Sequence, residues 1–108
     1  LVDIQGTLGI EDDLLPLTFA LYQNYPNPFN PTTIIRYDLP EAAIMELVIY
    51  DILGQRVATM KNGRQEAGSY QVRWNGTNDL GTPVSTGLYF YQLNSTPFSA
   101  TRKMVFMK

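Results

Sequence analysis

Any chemistry performed by this chain must come from carboxylates, hydroxyls, amides and amines, because its 108 residues include neither histidine nor cysteine. That removes imidazole bases, thiol nucleophiles and every zinc site built on nitrogen or sulfur ligands. Paired-carboxylate hydrolysis needs two acids held at a set separation in a cleft. Past the N-terminal segment the acids are Asp38, Glu41, Glu46, Asp51, Glu66 and Asp79. Asp51 and Asp79 stand in turn-like sequence, and Asp38 and Glu46 fall on the polar phase of alternating stretches. We therefore expect no enzyme and no cofactor. Asn75, Thr77, Asn78 and Asp79 ahead of Gly81 loosely echo an oxygen-rich calcium loop, yet the Asp-x-Asp-x-Asp-Gly spacing and the terminal Glu are missing. The better reading is a hydrogen-bonded turn, with no metal. Asn75-Gly76-Thr77 and Asn94-Ser95-Thr96 match the glycosylation sequon, a pattern short enough to be frequent by chance.

With catalysis set aside, recognition remains. The net charge of −2 is unevenly placed: Asp3, Glu11, Asp12 and Asp13 supply four of the ten acids within the first 13 residues. The rest of the chain carries six acids against eight bases. Those bases are scattered, whereas nucleic-acid binding uses clustered Lys and Arg, so no nucleic-acid partner is expected. Val48, Tyr50 and Phe90 fall on the outward phase of their stretches and could stack on sugar rings or dock a partner. Arg102-Lys103-Met104-Val105-Phe106-Met107-Lys108 reads as a terminal edge strand with basic residues on its outer face. A strand accessible at the chain end suits strand addition by a partner, so Lys103, Met104, Val105, Phe106 and Lys108 are the candidate recognition residues.

The elements that must position these residues are short strands. Residues 1–16 read as an acidic, glycine-containing linker, with a short strand near Leu14 to Leu17, and residues 17–108 as one domain. Phe19 to Tyr22 suits a first strand with Leu21 inward. A corner follows from Asn24 to Pro31. Pro26, Pro28 and Pro31 fix φ and push Tyr25, Asn27 and Asn30 out of the helical region. Asn27 and Asn30 can bond the local backbone, and Phe29 is the expected core plug. Thr33 to Leu39 alternates with Ile35, Tyr37 and Leu39 on one face. Ile44 to Tyr50 does the same with Met45, Leu47 and Ile49. Asp51-Ile52-Leu53-Gly54 is a tight reversal: Asp can bond its own backbone, and Gly is free to take φ > 0. Arg56 to Met60 returns with Val57 inward, and Asn62-Gly63 carries the strongest short hairpin signal. Gly68 to Trp74 presents Tyr70, Val72 and Trp74. After a long turn to Pro83, Gly87 opens Leu88 to Leu93 with Tyr89, Tyr91 and Leu93 inward. Thr101 to Met107 closes the chain with Met104 and Phe106 inward.

No window sustains helical spacing. Seven or so strands about 8–12 residues apart favour an all-β, immunoglobulin-like sandwich of Greek-key type without a disulfide. A domain of this length buries about two-thirds of its unfolded surface. There is no run of about 18 apolar residues, hence no membrane span, and no signal-peptide pattern. Starting at Leu1 rather than Met, the chain is expected to be a fragment or a processed product, with any export signal upstream.

The ordered set Leu21 to Pro31, Ile35 to Pro40, Val48 to Gly54, Gly68 to Tyr70, Trp74 to Thr77, Gly87 to Leu93 and Arg102 to Lys108 resembles the type A C-terminal sorting domain of the type IX, or Por, secretion system. It is also similar to the related immunoglobulin-like domain of flagellar hook-capping proteins. The resemblance runs from about Leu17 to Lys108. It implies a seven-stranded sandwich at the end of a secreted, multidomain cargo protein from a Bacteroidota-like bacterium. It further implies recognition by the outer-membrane translocon, and removal by a sortase-like peptidase that can attach the cargo to surface lipopolysaccharide. The implied partners are thus the translocon, the peptidase and an upstream cargo domain. The implied location is outside the cell or on its surface, reached through the periplasm and outer membrane. Matching positions are Pro26-Asn27-Pro28, Asp51 to Gly54, Gly87-Leu88-Tyr89 and Lys103 to Lys108, with Asn30 and Trp74 in the same motifs. Asn75 departs, standing where an Asp is common after the Trp. The alternative reading is a structural or carbohydrate-binding β-sandwich accessory module of a secreted enzyme.

Overall fold

Period-two hydrophobicity dictates the core. In the computed structural model, which describes residues 15–107, Ile35, Tyr37 and Leu39 are fully buried along β2 (Thr33–Leu39). Met45, Leu47 and Ile49 are buried in the same way along β3 (Ala43–Tyr50). The remaining strands are β1 (Ala20–Leu21), β4 (Arg56–Gln65), β5 (Gly68–Trp74), β6 (Gly87–Ser95) and β7 (Ser99–Phe106). They form a three-stranded sheet ordered β1-β2-β5 and a four-stranded sheet ordered β4-β3-β6-β7, with antiparallel pairing throughout. The chain changes sheet between β2 and β3, between β4 and β5, and again between β5 and β6. This is an immunoglobulin-like sandwich, and its layers share a core rich in aromatic rings. Trp74 packs edge-on to Tyr89 at 5.4 Å, and Phe29 stacks on Phe106 at 4.9 Å. No helix among the described residues is long and apolar enough to cross a membrane.

Several boundaries differ from expectation. Asn62-Gly63 is no hairpin turn: both residues lie inside β4, paired with Glu46 and Met45. The reversal is already made at Asp51 to Gly54, where the Gly54 N–H donates to the Asp51 carbonyl at 3.0 Å. The long alternating β3 then recruits a partner along its whole length, and that outweighs a local dipeptide preference. Register shifts in this pair skip Val57 and Met60, so β4 bulges and bends at this sheet edge. Leu15 to Leu17 lies outside any strand, and the first strand shrinks to Ala20–Leu21. The last strand starts at Ser99, ahead of Thr101. Residues 1–14 of the expected linker and Lys108 lie outside the described residues.

Candidate functional site

The proline corner and the terminal strand, far apart in sequence, meet in space. β7 occupies one edge of the four-stranded sheet and is paired on one side with β6. On its other side the corner takes hold of its last residues. The Phe29 N–H donates to the Val105 carbonyl at 3.0 Å, and the Met107 N–H donates back to the Phe29 carbonyl at 2.9 Å. Asn27 Oδ1 accepts the Val105 N–H at 2.9 Å. Farther up the strand, Gln23 Nε2 donates to the Lys103 carbonyl at 2.8 Å, and Arg102 Nε reaches the Leu21 carbonyl at 2.7 Å. Pro26, Pro28 and Pro31 have no N–H to offer, and the Asn24 and Tyr25 N–H groups go to the Tyr91 hydroxyl and the Ile34 carbonyl, so the backbone bond from the corner to β7 comes from Phe29.

This corrects one expectation about the terminal strand. Its backbone at Val105 and Met107 is already engaged, so an added strand finds no open groups there. Of the candidate recognition residues, Lys103 is exposed and Val105 is half-buried. Met104 and Phe106 are core residues at 0% and 4% exposure, and they reach a partner only through the strand they anchor. Asn30 is exposed.

Beneath the corner lies a buried polar knot. The Asn24 N–H donates to the Tyr91 hydroxyl at 2.8 Å, and that hydroxyl donates to the Tyr22 carbonyl at 2.6 Å. Asn24 Nδ2 donates to Thr33 Oγ1 at 2.9 Å, and the Thr33 hydroxyl donates to the Pro26 carbonyl at 2.9 Å. Satisfying these groups internally is what allows a bent, proline-rich segment to be buried at all. Sequence reasoning passed over Asn24, Thr33 and the Tyr91 hydroxyl as a unit. Thr33 did carry a signal, as the one polar residue on the inward phase of β2.

The knot makes a pH prediction. Burial pushes the Tyr91 hydroxyl up to about 12, and burial likewise pushes Tyr37 up to about 12. The folded chain therefore holds these protons more tightly than the unfolded chain, whose tyrosines titrate near 10. The associated stability is fully present below about pH 10 and is lost as pH rises toward about 12. Urea midpoints measured across that window are expected to fall. A Tyr91→Phe chain, with nothing to ionise there, is expected to fall less steeply, from a lower start because Asn24 loses its acceptor.

The other singled-out positions serve local structure. Asp51 Oδ1 accepts the Leu53 and Gln55 N–H groups at 2.9 Å each, and Gly54 adopts φ +79°. Trp74 Nε1 donates to the Thr77 carbonyl at 2.7 Å. Gly87 pairs with Phe106 at the start of β6, and the buried Tyr89 donates its hydroxyl to the Ser85 carbonyl at 2.6 Å. In the calcium-like loop, Asn78 Oδ1 accepts the Leu80 and Thr82 N–H groups, each at 3.0 Å. Asp79 Oδ1 accepts the Thr59 N–H at 2.9 Å, so this loop covers part of the β4 edge. The outward strip is interrupted, because Val48 is only 1% exposed. Tyr50 and Phe90 are half-buried neighbours in one cross-strand row, with Arg56 and Lys103 at its ends.

Residues 29–97 match the family model described as the FlgD Ig-like domain. Among solved structures the chain is similar to dimeric latent PorU from Porphyromonas gingivalis, with a TM-score of 0.63 and 20% identity, covering 79% of this chain and 9% of that one. It is also similar to PorZ of the same bacterium, an essential surface component of its type-IX secretion system. There the TM-score is 0.54 and the identity 20%, covering 83% of this chain and 11% of that one. At such identity the likeness is one of fold, and the chain spans only about a tenth of the length of these proteins. No curated protein matches the chain.

Proposed function

The chain belongs to the family of FlgD Ig-like domains, and from that premise we propose that it is a non-catalytic sorting domain of a larger exported protein, handled by type IX outer-membrane machinery as a folded shape. The observation that carries this reading is that the same fold occurs within PorZ, a surface component of that system, as a small part of a longer chain. The sequence supports it too: of the motifs shared with sorting domains, the proline corner and the terminal strand meet in space. Nothing in such a role calls for a reactive group. It calls for a rigid body with a defined end, and the corner fixes that end by hydrogen bonds to Val105 and Met107. In this reading the translocon recognises the domain, a sortase-like peptidase removes it, and the preceding cargo reaches the cell surface or the medium.

The test is a fusion of a folded reporter to the N-terminus of the whole chain, expressed in a bacterium with a working type IX system. The reporter is expected outside the cell, shortened by the mass of the domain, and to stay in the periplasm when residues 103–108 are deleted. Undiminished export of that deletion, or export in a strain lacking the translocon, would refute the sorting role. It would favour a structural accessory module.

A further inference from the structure

Above the stretch that the corner covers, β7 keeps an open edge. Val105 directs both its N–H and its carbonyl away from β6, to Asn27 and Phe29. The β6–β7 register runs unbroken from Gly87↔Phe106 to Asn94↔Ser99. Alternation along the strand therefore turns the backbone groups of Lys103, Thr101 and Ser99 the same way. The Lys103 carbonyl takes the Gln23 side chain. From the Lys103 N–H back to Ser99, the outward groups pair with no strand among the described residues; β1 packs nearby, on the core side of the edge, where Arg102 reaches the Leu21 carbonyl. Ser99, Thr101, Arg102 and Lys103 are all exposed.

A hollow beside this edge is lined by Gln23, Phe90, Thr101, Arg102 and Lys103. It offers two cations, an amide, a hydroxyl and an aromatic ring, with no carboxylate in its wall. The ion pairs among the described residues are Arg56–Glu46 and Arg64–Glu66, so neither of these cations is neutralised there. Arg102 spends its Nε on the Leu21 carbonyl, which holds the guanidinium in place and leaves its terminal nitrogens over.

We propose that Ser99–Lys103 is an acceptor edge for an extended acidic segment of a partner protein, which adds as a further strand beyond β7 and sets its carboxylates beside Lys103, with the Arg102 guanidinium adding positive charge from the opposite face. Backbone pairing supplies affinity, and the cations supply selectivity. Basic side chains on an edge also discourage pairing between copies, and a second copy brings cations to this edge, with no carboxylate to meet them. The proposal rests on the recognition role above only for what the partner is for. It moves the contact from the end of the chain to the half of β7 that the corner leaves open.

The test uses the purified chain and fluorescence anisotropy with a short labelled peptide of alternating Glu and Val, against one of alternating Lys and Val. The acidic peptide is expected to bind, and the basic one to bind at least about tenfold more weakly. Lys103→Glu should weaken acidic-peptide binding by about tenfold or more. Thr101→Pro removes an outward N–H without touching the β6 ladder and should weaken it comparably, by about tenfold. Circular dichroism checks that both variants are folded. In the unaltered chain, hydrogen exchange at the Thr101 and Lys103 amides is expected to slow when the acidic peptide is added. Equal binding of both peptides, no binding by the folded chain, or unchanged amide exchange overturns the proposal. So does competition by polygalacturonate that persists in Thr101→Pro, since that shows an anion held in the hollow with no added strand. Export of the reporter fusion without peptide binding sinks the edge alone; peptide binding without export sinks the sorting role alone.

Discussion

A chain carrying Phe29→Ala is expected to lose about 3–5 kcal/mol of stability and to melt about 15–30 °C below the parent. Phe29 is 1% exposed. Its ring lies nearly parallel to Phe106 and meets Trp74 at 5.6 Å, with a 57° tilt. Truncation removes the ring's transfer free energy and leaves a cavity whose walls are themselves rings, which collapse poorly into it. Each lost aromatic pair adds about 0.5–1.5 kcal/mol beyond area burial. Alanine keeps the N–H and carbonyl that bond Val105 and Met107, so the backbone chemistry of the corner survives while its anchor is gone. Hydrogen exchange should therefore show Val105 and Met107 amides opening before those of β3 and β6. Calorimetry showing a loss below about 1 kcal/mol would mean that the corner is held by its hydrogen bonds alone. Asn27→Ala is the contrasting case, expected to cost only about 0.5–1.5 kcal/mol because one exposed hydrogen bond is lost.

The inward sets were legible because alternation is a local signal that the fold cannot ignore. Shifting β2 or β6 by one residue would turn Tyr37 or Tyr91 out to solvent, so those registers are fixed by burial. The Asp51 to Gly54 reversal was legible for a similar reason, since its hydrogen bonds lie within five residues. What escaped were facts of tertiary partnership. Asn62-Gly63 has the chemistry of a hairpin turn, and only the length of β3 shows that it belongs in a strand. The meeting of Asn27 and Phe29 with Val105 joins positions at opposite ends of the chain, and no periodicity records it.

That same partnership decides what the surface can offer. Strand edges in an open sandwich invite unwanted pairing, and this chain covers parts of its two outer edges in the four-stranded sheet with loops. Asp79 takes the Thr59 N–H on β4, and the proline corner takes Val105 on β7. Sequence alone marked this strand as accessible because it reads as an edge or terminal strand with basic residues on its outer face. The structure divides it into a lower half bonded to the corner and an upper half that pairs with no strand beyond β7, with β1 packed nearby, and the division follows from where the prolines place Asn27 and Phe29.

Gly76→Ala tests how tightly the covered half is packed. A Cβ at Gly76 would lie 2.8 Å from both Cε2 and Cζ of Phe106, closer than packed carbons approach. The ring cannot swing aside, because Phe29 stacks on it and Trp74 packs against it at 6.3 Å. Gly76 also holds φ +76°, in the left-handed region, which costs a residue with a side chain about 1–2 kcal/mol. Overpacking adds about 1–3 kcal/mol, so a total loss of about 2–5 kcal/mol is expected. Gly54 and Gly81 separate the two causes. They hold φ +79° and +81°, and an added methyl at either would meet nothing within 4 Å, so alanine there meets only the backbone penalty of about 1–2 kcal/mol. Urea denaturation of the three variants side by side should rank Gly76→Ala well below the other two. Equal losses would show that Phe106 yields, and with it the strand end that Phe29 is built to hold.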